Sequence, residues 1–281
     1  MLRSTMVSTL LLLFLLLTVL KPIVIGLGTT FQSIANAIIF RGHIAPTPPR
    51  ADTFFVSTED GAELHTLVIP PTKKSDKHLL LFYLHGNANC VEPAWRKALE
   101  QTLAAFTSHL PDTAVWGATF DYRRYGNSTG PTAPTLANAR TDAAAVLRAI
   151  LTGLPAGTAV LLYGMSLGGY VALGLHDAHP KAIFLEAPFL GTRALKIRFL
   201  QLIPEVGECR QDVLFWREQG VRLVSVVSET DDLIDEKAVQ SVLGVAAEIF
   251  IDKTGGSNHS TVSVTVEWRA AVQYTAQVAL Q

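Results

Sequence analysis

Ser166 stands in Gly164-Met165-Ser166-Leu167-Gly168, behind the apolar run Ala159-Val160-Leu161-Leu162-Tyr163 and ahead of Gly169-Tyr170-Val171-Ala172-Leu173-Gly174-Leu175. That order predicts a strand, a very tight turn and a helix, because the glycines on either side of Ser166 let the backbone pass where a Cβ would clash. Such a turn lifts the Ser166 hydroxyl clear of a sheet and sets it at a helix N-terminus. There, free N–H groups and the helix dipole favour developing negative charge. A serine hydroxyl is a poor nucleophile near neutral pH. It needs a neighbouring base, and the base needs a carboxylate to fix its tautomer and stabilise its charged form. The matching chemistry is acyl transfer, which creates an alkoxide that preplaced donors must meet. Read alone, the pentapeptide also fits a glycine-rich turn in which the serine has no role.

Taken with its strand and helix, the stretch is the nucleophile-elbow pattern and resembles the α/β-hydrolase superfamily. The resemblance covers about residues 50–280 and implies the chain order serine, acid, histidine. It places the acid after the run Val221 to Val227, where Ser228-Glu229-Thr230-Asp231-Asp232-Leu233-Ile234 is similar to the family's Gly-x-x-Asp-x-x-(Val/Ile). Aligned on Ile234, the acid is Asp231. Asp232 is its competitor, and Glu186, at the end of an earlier strand, is a weaker candidate. Ser228 stands where the family has glycine. The base is expected after the last strand, and Asp252-Lys253-Thr254-Gly255-Gly256-Ser257-Asn258-His259-Ser260 is a glycine-rich loop with a single histidine, His259. The remaining histidines fall in the stretch before the domain, in strands or near helix ends, where a cation suits the helix dipole.

For the oxyanion, the resemblance implies two backbone donors. One is the N–H of Leu167, directly after the nucleophile. The other is the N–H of Asn87, in His85-Gly86-Asn87-Ala88, which is similar to the family's His-Gly oxyanion segment. Gly86 is expected to allow the close approach, and His85 to be structural. Asp121-Tyr122-Arg123-Arg124-Tyr125-Gly126-Asn127-Ser128 resembles Asp-Tyr-Arg-Gly-x-Gly-x-Ser, with Arg124 where glycine is usual. It reads as a loop bordering the site, whose arginines are ion-paired or solvated rather than bound to an anionic head group. Asn127-Ser128-Thr129 and Asn258-His259-Ser260 match the N-glycosylation pattern, but a glycan on the second would block His259.

The elements that must carry these residues alternate. Thr53 to Ser57 and Glu63 to Ile69 read as a hairpin around Glu59-Asp60-Gly61. Leu79 to Leu84 is continuously apolar, as expected of a strand buried on both faces of a parallel sheet. Further strands are predicted over 114–120, 158–163, 182–185, 221–227 and 246–251. Helices are predicted over 93–109, 135–151, 167–178, 236–243 and 261–280. This alternation predicts an α/β fold, a mostly parallel central sheet with helices on both faces. Only about 35 residues separate the strands ending at 185 and beginning at 221, so the region 188–220 is a small cap, with short helices expected over 195–202 and 213–219. Phe189, Leu190, Leu195, Phe199, Leu200 and Leu202 are candidates for an acyl groove, or for core.

Residues 1–28 are almost wholly apolar from Val7 to Leu20, then Lys21-Pro22, then Ile23 to Leu27. This length is expected to span a membrane as a single-pass N-terminal signal anchor. The alternative is a secretory signal peptide cleaved near Ala35-Asn36-Ala37. Lys21, Arg41 and Arg50 against Arg3 favour a cytoplasmic catalytic domain. Residues 29–50 read as a linker or short amphipathic stretch and 51–281 as the catalytic domain. Formal net charge is −1 and 17% of residues are charged, which argues against a nucleic-acid partner. The two cysteines and eight histidines show no zinc spacing, so no metal or other cofactor is expected. The resemblance to small membrane-anchored serine hydrolases implies a lipid or acylated substrate cleaved at an ester or thioester. A peptidase or amidase, and an inactive membrane-tethered interaction module, are the competing readings.

Overall fold

The computed structural model describes residues 36, 39–40, 50, 52–197, 206–255 and 257–279. The expected anchor over 1–28 lies outside these residues. Among those described, no helix is long and apolar enough to cross a membrane. Eight strands form one sheet in the order β1-β2-β4-β3-β5-β6-β7-β8. They are β1 (Thr53–Ser57), β2 (Glu63–Ile69), β3 (His78–Leu84), β4 (Ala114–Phe120), β5 (Ala159–Met165), β6 (Ala182–Glu186), β7 (Arg222–Ser228) and β8 (Ala247–Asp252). The hairpin β1–β2 joins β4 antiparallel, and every other pairing is parallel.

The continuous apolar runs divide by alternation, since successive side chains of a strand point to opposite faces. Leu80, Phe82 and Leu84 of β3 join Leu162, Ile183 and Leu185 in one core. On that face lie α2 (Leu136–Thr152), α3 (Leu167–Leu173), α4 (Arg210–Glu218) and α5 (Glu236–Leu243). Leu79, Leu81 and Tyr83 join Tyr163, Phe184 and Val226 in the other core, under α1 (Arg96–Ser108) and α6 (Val266–Val278). Both cores are therefore closed, and the loops at the carboxyl ends of β3, β5, β7 and β8 gather at one rim, where open α/β sheets place ligands.

Several elements differ from expectation for local reasons. The stretch 167–178 is not one helix: α3 stops at Leu173 and a separate turn, His176–Ala178, follows. Its final carbonyls are taken from outside, Tyr170 O by Arg140 Nε (3.2 Å) and Leu173 O by Trp216 Nε1 (2.7 Å). The chain at 195–197 is extended rather than helical. Leu195 pairs with Ile234, Lys196 N–H donates to Leu233 O (2.8 Å) and Asp235 N–H donates to Ala194 O (2.8 Å). Residues 198–205, with Phe199, Leu200 and Leu202, lie outside the described residues. A turn at Val262–Val264 precedes α6, whose N-cap Thr265 accepts from Trp268 N–H at 3.1 Å.

Arg123 is ion-paired, as expected. It is 2% exposed and donates to Asp142 (2.6 and 2.8 Å), Asp60 and Thr132. Arg124 takes φ +63°, which accounts for glycine at that place in the family pattern. Replacing Arg123 with alanine strands Asp142, 1% exposed, without its counter-ion. Stability is expected to fall by about 3–5 kcal/mol, read as a lowered urea midpoint against wild type.

Candidate active site

Strand β5 ends at Met165, and Ser166 follows with φ +50° and ψ −116°. This is a sparsely populated conformation for a side-chain-bearing residue, and it persists only where the surroundings fix it. Three backbone bonds do so. Ser166 N–H donates to Glu186 O (2.9 Å), while Ser166 O accepts from Gly169 and Phe189 N–H (2.9 Å each). The left-handed torsion thus belongs to Ser166 itself, and the flanking glycines serve packing. A Cβ on Gly164 would lie 2.5 Å from Gly168 O, and one on Gly168 only 1.8 Å from Leu84 O. A Cβ on Gly86 would meet Ser166 Cβ at 3.5 Å, an ordinary contact within the protein.

Three side chains from three loops meet. Ser166 Oγ lies 2.9 Å from His259 Nε2, and His259 Nδ1 lies 3.0 Å from Asp231 Oδ2. A carboxylate only accepts, so Nδ1 carries the proton and Nε2 is left to accept from the serine hydroxyl. Asp231 Oδ1 accepts from the N–H groups of Leu233 and Ile234 (2.8 Å each). Burial pushes the Asp231 carboxyl up. The hydrogen bond and charge of His259 and these two amides outweigh burial and hold it below its ordinary range. Lys196 Nζ donates to Asp231 O, which ties the loop to the cap region.

Asp232, the competitor, is exposed and accepts from His259 N–H at 3.3 Å, so it touches the loop backbone rather than the ring. Glu186 lies elsewhere: it is 1% exposed, accepts from Tyr163 OH, and that hydroxyl accepts from Trp268 Nε1 at 2.8 Å. Burial pushes the Glu186 carboxyl above its usual range. Ser228 has a partner set that glycine would lack. Its Oγ lies 2.9 Å from Ser257 Oγ and 3.0 Å from Thr230 Oγ1, while Ser257 donates to Asp252. This cluster joins the loop of Asp231 to the loop of His259.

Beyond β3, His85 is 1% exposed, stacks on Trp95 (5.2 Å, 15°), and its Nδ1 lies 2.7 Å from Gly86 O. Burial pushes its imidazole below the usual pKa. Tyr122 OH donates to His85 O (2.9 Å) and Tyr125 OH to Asn87 Oδ1 (2.8 Å), which fixes this loop beside Ser166. Leu167 opens α3, so its N–H has no acceptor within the helix.

A cavity of about 150 Å³ opens at Ser166 and Leu167, with Asn87 on its wall. Its other walls are apolar. Phe189, Leu195 and Ile197 come from the cap region, Leu233 from the loop of Asp231, and Ile39 from the stretch before the domain. Two of the expected groove residues, Phe189 and Leu195, are in place. Leu190 is instead buried in the core, at 1% exposure. Ile39 falls in the region read as a linker or short amphipathic stretch, a reading that places no residue of it at the site.

The alpha/beta hydrolase family profile matches residues 81–277. Over 125 residues, 42% of this chain and 29% of that protein, the chain is 32% identical to the lysophosphatidylserine lipase ABHD12 of Bos taurus. It thus spans under a third of the length of the curated relatives it matches. Among solved structures, the esterase Pf2001 of Pyrococcus furiosus superposes with TM-score 0.61 at 17% identity, covering 82% of this chain and 90% of the esterase. XC6422 of Xanthomonas campestris, described as a serine hydrolase without a lid, superposes with TM-score 0.55 at 15% identity, covering 83% and 96% of the two chains.

Proposed function

This chain belongs to the alpha/beta hydrolase family, and we propose that within it the protein cleaves carboxylic esters or thioesters of lipid or acylated substrates at a membrane surface. One observation carries the reading: Ser166 Oγ, the His259 ring and the Asp231 carboxylate form one hydrogen-bonded chain beside an apolar cavity. In the proposed reaction His259 Nε2 takes the Ser166 proton as Oγ attacks the acyl carbonyl. Asp231 holds the ring and offsets the imidazolium charge. The alkoxide points at the N–H groups of Leu167 and Asn87. His259 then gives its proton to the leaving oxygen or sulfur, water repeats the attack on the acyl-enzyme, and the acid departs.

The membrane setting rests on the apolar stretch over 1–28 and on chain reach. Ile39 lies on the cavity wall only about eleven residues beyond that stretch, which holds Ser166 within about 40 Å of the bilayer. The name of the bovine relative supports a lipid ester.

Labelling by a fluorophosphonate probe tests the reading, with wild type, Ser166→Ala and His259→Ala compared in detergent and in liposomes. Labelling is expected in wild type, lost in Ser166→Ala and at least about a hundredfold slower in His259→Ala. A well-folded wild type that is unlabelled in both media would overturn it in favour of an interaction module. Faster cleavage of anilides than of matched esters would move it to an amidase.

A further inference from the structure

We infer that Ile39 is the wall that sets how long an acyl chain Ser166 accepts. This deepens the ester-hydrolase reading and rests on it. The cavity at Ser166, about 150 Å³, is smaller than the roughly 300–1,000 Å³ of pockets that enclose a whole drug-sized ligand. It therefore takes only the part of the acyl chain nearest the carbonyl, and its apolar wall decides how many carbons that is.

Half of that apolar wall is tied to the catalytic groups, and Leu195 and Ile197 belong to the cap region. Leu167 opens the helix behind Ser166, Phe189 N–H holds Ser166 O, and Leu233 N–H holds Asp231 Oδ1. Phe189 thus holds the torsion of Ser166 and Leu233 the carboxylate of Asp231 as well as lining the cavity. Ile39 enters from outside the sheet and its loops. It is 6% exposed and belongs to the same core as Leu167, Phe189 and Leu195.

The segment is pinned on both sides of it. Asn36 Oδ1 accepts from Leu136 N–H (3.3 Å), a donor at the start of α2 with no helical partner of its own. Phe40 N–H donates to Asn36 O (2.8 Å), which ties Phe40, next to Ile39, to the residue that α2 holds. The Phe40 ring then meets Tyr125 edge-on (6.5 Å, 89°), and Tyr125 OH holds the Asn87 side chain. Isoleucine is stiff about χ1, so a pinned Ile39 is a firm stop rather than a yielding one.

The consequence is a chain-length profile with a step that moves with residue 39. Each methylene taken into an apolar pocket raises kcat/KM about fourfold, until the chain meets the wall. Removing the isoleucine side chain beyond Cβ frees the volume of three carbons and lengthens the path by about two, and an indole shortens it.

The experiment measures kcat/KM for p-nitrophenyl esters from acetate to decanoate with the full chain in detergent, for wild type, Ile39→Ala and Ile39→Trp. The ratio of octanoate to acetate is expected to rise about tenfold or more in Ile39→Ala and to fall by as much in Ile39→Trp. Should either variant lose the wild-type melting transition, Ile39→Val and Ile39→Phe read the same two directions with smaller volume changes. Ser166-dependent hydrolysis with an unchanged ratio in both directions overturns the role of Ile39 and leaves the hydrolase reading standing. A wild type that cleaves no ester of the series overturns the hydrolase reading itself, and this inference with it.

Discussion

Asp231→Asn is expected to lower kcat/KM for a short ester by about 10⁴-fold, while Asp232→Asn stays within about tenfold of wild type. The two side chains are neighbours in sequence and both reach His259, but they reach different atoms. Asp231 Oδ2 lies 3.0 Å from the ring at Nδ1, and Asp232 Oδ1 accepts from the backbone N–H at 3.3 Å. Only the first contact fixes which ring nitrogen is free to take the Ser166 proton. An asparagine at 231 offers an amide NH₂ as readily as a carbonyl, so Nδ1 can be left accepting and Nε2 protonated, the wrong tautomer for a base. It also removes the charge that offsets the imidazolium. The Oδ1 position still accepts from Leu233 and Ile234, so the loop keeps its shape. Steady-state kinetics on both variants, with melting curves to show that each is folded, make the comparison. Equal losses, or the larger loss at Asp232, would reassign the acid.

The residues that the structure joins in one hydrogen-bonded chain are those whose local surroundings announce them. An apolar run followed by Gly-x-Ser-x-Gly marks a strand, a turn and a helix without reference to the rest of the chain. The order of the following strands then narrows the acid and the base to single loops. Asp231 and Asp232 were separable only by alignment on Ile234, and the structure adds the reason: Ile234 N–H and Leu233 N–H both point at one Asp231 oxygen. Features made by distant contacts left no local mark. Ile39 shares the cavity wall with Leu167, Phe189 and Leu195, more than a hundred positions away, and an amphipathic reading of 29–50 does not say which residue reaches the site. The extended pairing of Leu195 with Ile234 likewise depends on a residue far along the chain. Ser228 read as a departure because its use depends on Ser257 and Asp252, side chains of another loop.

Gly168→Ala is expected to be the most destructive small substitution in the domain, costing about 4–5 kcal/mol or more and leaving little soluble protein. The added Cβ would lie 1.8 Å from Leu84 O, 2.4 Å from Leu84 C and 3.0 Å from His85 O. All three are backbone atoms, so no rotamer change relieves the overlap. Nor can the strand move aside, because β3 is paired in parallel to β4 on one edge and β5 on the other, with Leu84 opposite Gly164. Moving α3 outward instead would break the Gly169 and Phe189 bonds that hold the torsion of Ser166. It would also displace Oγ and the Leu167 N–H together, and misplacement by about 1 Å costs on the order of 100-fold in rate. Any protein that does fold should therefore be nearly inactive. Gly86→Ala is the matched control, because its Cβ meets Ser166 Cβ at 3.5 Å without overlap. Urea unfolding followed by circular dichroism, on both variants beside wild type, gives the comparison. A Gly168→Ala protein with the wild-type midpoint would mean that helix and strand do not approach as closely as this geometry requires. The glycines of the pentapeptide would then serve the turn, not the packing of α3 against β3.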